Sequence, residues 1–130
     1  MNIDNLLYVS ATGQLALAVL QGWPIVMHGP GTWTERLFPD RRRLLQSHID
    51  NLMMGTIQIA LAASTLPIAD WMSWLIVGGS WVNAQLFLYM AVRGPKFRGG
   101  GVIRPMTILS FSALTLAYCG LFVSTILASI

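Results

Sequence analysis

The chain has 130 residues, 55% of them hydrophobic and only 10% charged, with a net charge of +3. A soluble domain carries about 25% charged residues, so this composition points to a single membrane domain and away from a soluble one. Nucleic acid is no expected partner despite the positive balance, given where the charges fall, and one cysteine, Cys119, excludes intrachain disulfides and cysteine-based metal clusters.

In chain order, the first apolar stretch runs roughly over 6–27 and holds Gln14 and Gln21 at i, i+7. It opens with MNIDNLLYVS, which has Asp4 and no Lys or Arg, so the basic n-region of a cleavable signal peptide is not expected. The link HGPGTWTERLFPDRRR leads to a second stretch over 44–67, LLQSHIDNLMMGTIQIALAASTLP. A short turn near Pro67 to Asp70 leads to the third stretch, 71–92, and RGPKFRGGGVIRP leads to the fourth, 103–130. Each stretch is long enough to cross a bilayer, which takes about 20 mostly apolar residues. Four spans with short links predict an all-α integral membrane protein, an antiparallel bundle of four transmembrane helices.

All eight basic residues fall in two links. Arg36, Arg41, Arg42 and Arg43 are in the first, and Arg93, Lys96, Arg98 and Arg104 are in or beside the last. The positive-inside rule then predicts cytoplasmic basic links and both termini outside, in a membrane of the bacterial inner-membrane type. Trp23, Trp71 and Trp74 lie near predicted span ends, where interfacial tryptophans are common. The glycines of RGPKFRGGG lack the GxxxxGK[ST] pattern and a preceding strand, so they read as a flexible link.

The second stretch stands apart. His48, Asn51, Gly55 and Gln58 fall at i, i+3, i+7 and i+10 and share one helical stripe. Ionisable and amide groups at membrane depth are expensive and usually face a bundle interior or a cavity. A flat ligand on this helix would want such a layout: a coordinating group, a hydrogen-bonding group, then a place without a side chain. The plain alternative for His48 is an interfacial histidine bonded to a carbonyl. Asp50 has a plain role as partner of a nearby arginine, and Asn83 as a hydrogen bond to another helix. Zinc needs three or four protein ligands, and His28, Cys119 and Asp50 show no ligand spacing with His48. Haem iron needs only one. Arg41, Arg42, Arg43, Arg98 and Arg104 are expected at the membrane end where His48 enters and are suited to anionic propionates.

The run Arg43-LLQS-His48-IDNLMM-Gly55, with Trp81-Val82-Asn83 in the third span and the four-span size, resembles the styrene oxide isomerases and the related hydroxylaminobenzene mutases. The resemblance implies a homotrimer with ferric haem b and a small hydrophobic substrate. It implies that His48 ligates the iron and that Asn83 lines the substrate pocket, with Arg43 and Gly55 belonging to the cofactor motif. The open iron face would act as a Lewis acid on an epoxide oxygen. Two departures stand out. The family commonly has asparagine just before the glycine, where this chain has Met54 and carries its amide at Asn51. The family's pocket tyrosine falls at Phe87, with Tyr89 two residues on. A different substrate is therefore expected, and Asn51 and Tyr89 join Asn83 as candidate catalytic residues.

Three functions follow as expectations. The first is an epoxide-to-carbonyl isomerase, with the arylhydroxylamine-to-aminophenol rearrangement as its variant. The second is a haem-binding electron-transfer subunit, for which His28 is the only other histidine. The third is a scaffold membrane protein without cofactor.

Overall fold

The computed structural model describes residues 3–97 and 100–130. Among the described residues five helices form: α1 (Ile3–Val26), α2 (Trp33–Leu37), α3 (Arg41–Ala62), α4 (Asp70–Arg93) and α5 (Ile103–Ser129). There is no strand among the described residues. Three segments are long and apolar enough to cross a membrane: Asn5–Val26, Asp70–Arg93 and Ile103–Ser129. The fourth expected span, α3, is not among them. Its 22 residues would reach about 33 Å at the usual helical rise. Its arginines, His48, Asp50 and buried amides remove the apolar character that the length alone suggests.

The ends of α3 have local causes. Asp40 caps its N-terminus, where the Arg43 backbone N–H donates to Asp40 Oδ1 at 3.1 Å. That carboxylate offsets the unfavourable placing of three arginines at the positive end of the helix dipole. The helix therefore starts before residue 44. It stops at Ala62, short of 67, because Pro67 disfavours helical backbone at the preceding residue. Ser64 Oγ then donates to the Leu61 carbonyl at 2.7 Å. The first link holds the short α2. Thr32 caps it by accepting from the Glu35 backbone N–H at 3.3 Å.

Helix α1 packs along α3, α3 along α4, and α4 along α5, with a lighter contact between α1 and α4. One end of the assembly is apolar, with Leu7, Leu61, Met72, Ile76, Ala117 and Leu121 in a single core cluster. Two glycines set the close crossings. A Cβ at Gly55 would stand 2.9 Å from Leu15 Cγ and 3.0 Å from the Ala11 carbonyl oxygen, so α1 lies directly on α3 there. A Cβ at Gly79 would stand 2.8 Å from Leu114 Cγ and 3.1 Å from the Ser110 carbonyl oxygen, which marks the approach of α5 to α4. In lipid, where hydrocarbon competes with every apolar side chain, such small-residue contacts carry helix association.

Candidate functional site

The stripe His48, Asn51, Gly55 and Gln58 exists, but α1 and α4 cover it. Gln58 Nε2 donates to Gln14 Oε1 at 3.0 Å and to Ser80 Oγ at 2.7 Å. Two turns towards the basic links, Asn51 Nδ2 donates to Gln21 Oε1 at 3.2 Å, and Gln21 Nε2 donates to Ser47 Oγ at 2.9 Å. Ser47 Oγ passes its own hydrogen to the Ala84 carbonyl at 2.9 Å. Gln14, Ser47, Asn51, Gln58 and Ser80 are all fully buried. Two amide oxygens, Asn51 Oδ1 and Gln58 Oε1, are enclosed with no partner among the described residues.

His48 lies at the edge of this ladder and is half-buried. Its Nδ1 meets the Ala18 carbonyl at 2.8 Å, and its Cε1 would touch a Cβ at Gly22 at 3.8 Å, so the ring rests on α1. A carbonyl can only accept, so Nδ1 carries the proton and Nε2 keeps its lone pair. This is the carbonyl-bonded histidine of the plain reading. It is also the tautomer that a metal ligand through Nε2 requires. His28 sits in the first link with Nε2 3.1 Å from the Phe38 carbonyl.

Asn83 behaves differently. It is buried on α4, and its Nδ2 donates to Asp50 Oδ2 on α3 at 2.9 Å. Asp50, considered from the sequence as a partner for an arginine, thus holds the amide. Asn83 lines a cavity of about 600 Å³ together with Arg43, Phe87, Met90, Arg104 and Thr107. The Arg43 guanidinium donates to Gln46 Oε1 at 3.0 Å and lies 5.6 Å over the Phe87 ring. Arg41 and Arg42 are exposed at the start of α3, and Arg98 lies outside the described residues.

The structure does not bring the three candidate catalytic residues together. Asn51 lies in the buried ladder between α1 and α3 and lines neither cavity. Tyr89 lines a separate cavity, and its hydroxyl accepts from Arg93 Nε at 2.9 Å. Phe87, which stands at the family's tyrosine position, shares the cavity with Asn83. Asp50 is the residue of this neighbourhood that the sequence left in a minor role. It joins the two halves, being two residues from His48 and bonded to Asn83.

A haem would find its donor atom at His48 Nε2, which is free of hydrogen bonds among the described residues. It would not lie along Asn51, Gly55 and Gln58, because α1 occupies that face, and Gly55 makes room for the Ala11 backbone and Leu15. The ligand atom fits the cofactor, whereas the flat stripe expected from the spacing does not. Among the described residues no three His, Cys, Asp or Glu side chains gather into a group able to hold a metal ion.

No family model, no curated protein and no solved structure matches the chain.

Proposed function

We propose that this chain is a membrane-embedded, haem-dependent isomerase of small hydrophobic substrates, acting on an aryl epoxide or an arylhydroxylamine. In this reading α1, α3, α4 and α5 form an antiparallel four-helix transmembrane bundle. α3 packs between α1 and α4 and turns Leu45, Ile49, Leu52 and Met53 outward, and the basic links face the cytoplasm. The observation that carries the reading is His48: its Nδ1–H is held by the Ala18 carbonyl, which leaves Nε2 as an unengaged donor atom at the edge of the bundle.

Bound at His48, ferric haem supplies a Lewis acid, worth several kcal/mol of charge stabilisation to an oxygen that takes up electron density. The rest falls to the chain. Asp50 fixes Asn83 by one amide hydrogen, leaving the second N–H to donate to a substrate oxygen in the cavity. Phe87, Leu86, Met90 and Ile103 supply apolar walls that keep water from a developing cation. Arg43 and Arg104 line the same cavity and suit carboxylates at its rim. In the epoxide case one C–O bond opens, a hydride shifts to the neighbouring carbon, and the oxygen ends as a carbonyl. Substrate and product are isomers, so no electron donor or acceptor is consumed. His48 faces α1 while Asn83 faces the α4–α5 side, and in this reading the complete site joins two copies of the chain in a homotrimer.

The test is the absorption spectrum of the protein purified in mild detergent with haem supplied during expression. A Soret band of high-spin ferric haem is expected, and His48→Ala should abolish or strongly weaken it while the protein still inserts. A wild-type spectrum in that variant would remove His48 as the ligand. A low-spin, six-coordinate spectrum would favour electron transfer instead.

A further inference from the structure

A groove runs along the α4–α5 crossing on a different flank from Asn83. Its wider part encloses about 750 Å³ and shares only Leu86 and Ile103 with the cavity of Asn83. Trp81, Val82, Tyr89, Phe97 and Met106 line it. Val82 also lines a narrower part of about 290 Å³, set between Trp74 and Gly78 of α4 and Leu109 and Ala113 of α5. Tyr89 and Trp74 are fifteen residues apart, about 22 Å at the usual helical rise. That is more than half of a hydrocarbon core about 30 Å thick. The groove is therefore long enough to take an acyl chain of one leaflet.

One end of the groove carries a fixed cation. Tyr89 and Phe97 form the rim there and meet edge to face, with centroids 5.8 Å apart. The Arg93 guanidinium stands on both rings, 5.2 Å and 5.8 Å from their centroids. Its Nε donates to Tyr89 Oη at 2.9 Å, and its two terminal nitrogens have no hydrogen-bond partner among the described residues. The Phe97 backbone N–H closes a turn on the Gly94 carbonyl at 3.0 Å, and Lys96 is exposed in that turn. An arginine held in this way has already given up much of the freedom it would lose on binding an anion, and its open fork suits phosphate oxygens. Carboxylates of the chain are engaged elsewhere. Glu35 and Asp40 accept from backbone N–H groups, Asp50 accepts from Asn83, and Asp70 starts α4 at its far end.

We propose that this groove binds one anionic phospholipid, with its phosphate at Arg93 and Lys96 and an acyl chain along Tyr89, Val82 and Gly78. A zwitterionic lipid brings its own cation beside the phosphate, which offsets the attraction. A soluble anion gains nothing from the apolar slot. In the topology proposed above, the Arg93 end faces the cytoplasm, where the leaflet carries anionic lipid. The site is independent of the haem reading, since neither His48 nor Asn83 lines it.

The test titrates the lipid-stripped full chain in mild detergent with phosphatidylglycerol and with phosphatidylcholine of the same acyl chains, counting bound lipid by native mass spectrometry. Phosphatidylglycerol should bind about tenfold more tightly, one charge-assisted contact being worth about that factor. Arg93→Gln should remove the preference. Arg42→Gln, which deletes the same charge from the exposed start of α3, should keep it, as should His48→Ala. Gly78→Leu fills the narrow part, where a Cβ meets nothing within 4 Å, and should weaken both lipids while preserving their ratio. If Arg93→Gln fails to fold, the wild-type ratio and the Arg42→Gln and Gly78→Leu variants decide the matter. Equal binding of the two lipids would overturn the proposal, and so would an equal loss of preference in Arg42→Gln, which would mean diffuse attraction to the basic links. Unchanged binding in Gly78→Leu would take the acyl chain out of the groove. Displacement of phosphatidylglycerol by millimolar glycerol phosphate would assign Arg93 to a soluble anion, and binding confined to dissociated monomers would assign the groove to a second copy of the chain. The proposal would fall in each of these cases.

Discussion

The two main helix interfaces of this protein are built on the same device and filled in opposite ways. Both α1–α3 and α4–α5 meet at a glycine that lets one backbone approach the other, Gly55 in the first and Gly79 in the second. Around Gly55 the contact is a ladder of amides and hydroxyls, Gln14, Gln21, Ser47, Asn51 and Gln58, reaching Ser80 on α4. Around Gly79 it is Leu114, with Ser110 Oγ donating to the Gly79 carbonyl. Directional bonds at two levels allow α1 and α3 one register, since a shift along the axis would orphan several buried groups at once. Leucine against glycine is less demanding of its neighbours. The cavities lie beside α4 and α5, where directional bonds are scarce. One side of the molecule is fixed as a scaffold that holds His48, and the other carries the cavities.

The largest effect should come from closing the approach at Gly55. Gly55→Leu would press a side chain on the Ala11 carbonyl, which cannot move without displacing α1. Overpacking of this kind costs about 1–3 kcal/mol and sometimes more, and here the polar ladder would be pulled apart as well. We expect loss of the folded, monodisperse protein in detergent, read by size exclusion and thermal unfolding. Gly78→Leu, one residue from the other crossing, is the control. A Cβ at Gly78 meets nothing within 4 Å, so that variant should remain folded. Similar behaviour of the two would mean that α1 does not rest on Gly55.

The glycine stripe also marks the limit of what could be read beforehand. Helical spacing correctly put His48, Asn51, Gly55 and Gln58 on one face, and the unusual polarity of that face was visible in the residues. Periodicity says which residues share a face and nothing about what covers it. The stripe was read as a bed for a flat ligand, whereas α1 lies there. A clue to the cover was present in Gln14 and Gln21, whose i, i+7 spacing matches Asn51 and Gln58 on α3. Of the four spans read from the sequence, α3 alone does not qualify as long and apolar enough to cross a membrane, because length was weighed above the polar groups the helix carries. The Asp50–Asn83 bond joins residues 33 positions apart and depends on how α3 meets α4, as do both cavities. Local pattern contains no information on that crossing. His48 is bonded to a carbonyl, as the plain alternative had it, and no sequence pattern shows which ring nitrogen that bond engages.

The next prediction measures how strongly the amide ladder acts as a unit. Gln58→Leu removes the donor to both Gln14 and Ser80, leaving buried acceptors behind, and should cost about 1–3 kcal/mol. Gln14→Leu should cost a similar amount. The double variant replaces both partners by apolar groups of similar size and should cost clearly less than the sum. Stability can be followed by unfolding with a denaturing detergent. Strict additivity would show that the two glutamines do not share a bond, and the contrast drawn between the two interfaces would lose its main support.

The smallest effect is expected on the α4–α5 side, from a matched pair of serines. Ser47 and Ser110 are both buried, and each donates its hydroxyl to a backbone carbonyl on α4, that of Ala84 at 2.9 Å and of Gly79 at 2.8 Å. Only Ser47 also accepts, from Gln21 Nε2 at 2.9 Å. Ser110→Ala therefore removes one interhelical bond, and the Gly79 carbonyl lies within a helix whose own backbone can satisfy it. Such bonds in membranes average about 0.6 kcal/mol, so the loss should be near that value. Ser47→Ala removes a bond of the same kind and also strips Gln21 Nε2 of its acceptor, so it should cost about 1–3 kcal/mol. The comparison uses the same substitution, similar burial and the same acceptor type, so the difference isolates the polar connection of α3 to α1. If Gln21→Leu is introduced first, Ser47→Ala should fall to the level of Ser110→Ala. Equal losses in the original background would mean that Gln21 finds another acceptor and that the ladder is not continuous across α1, α3 and α4.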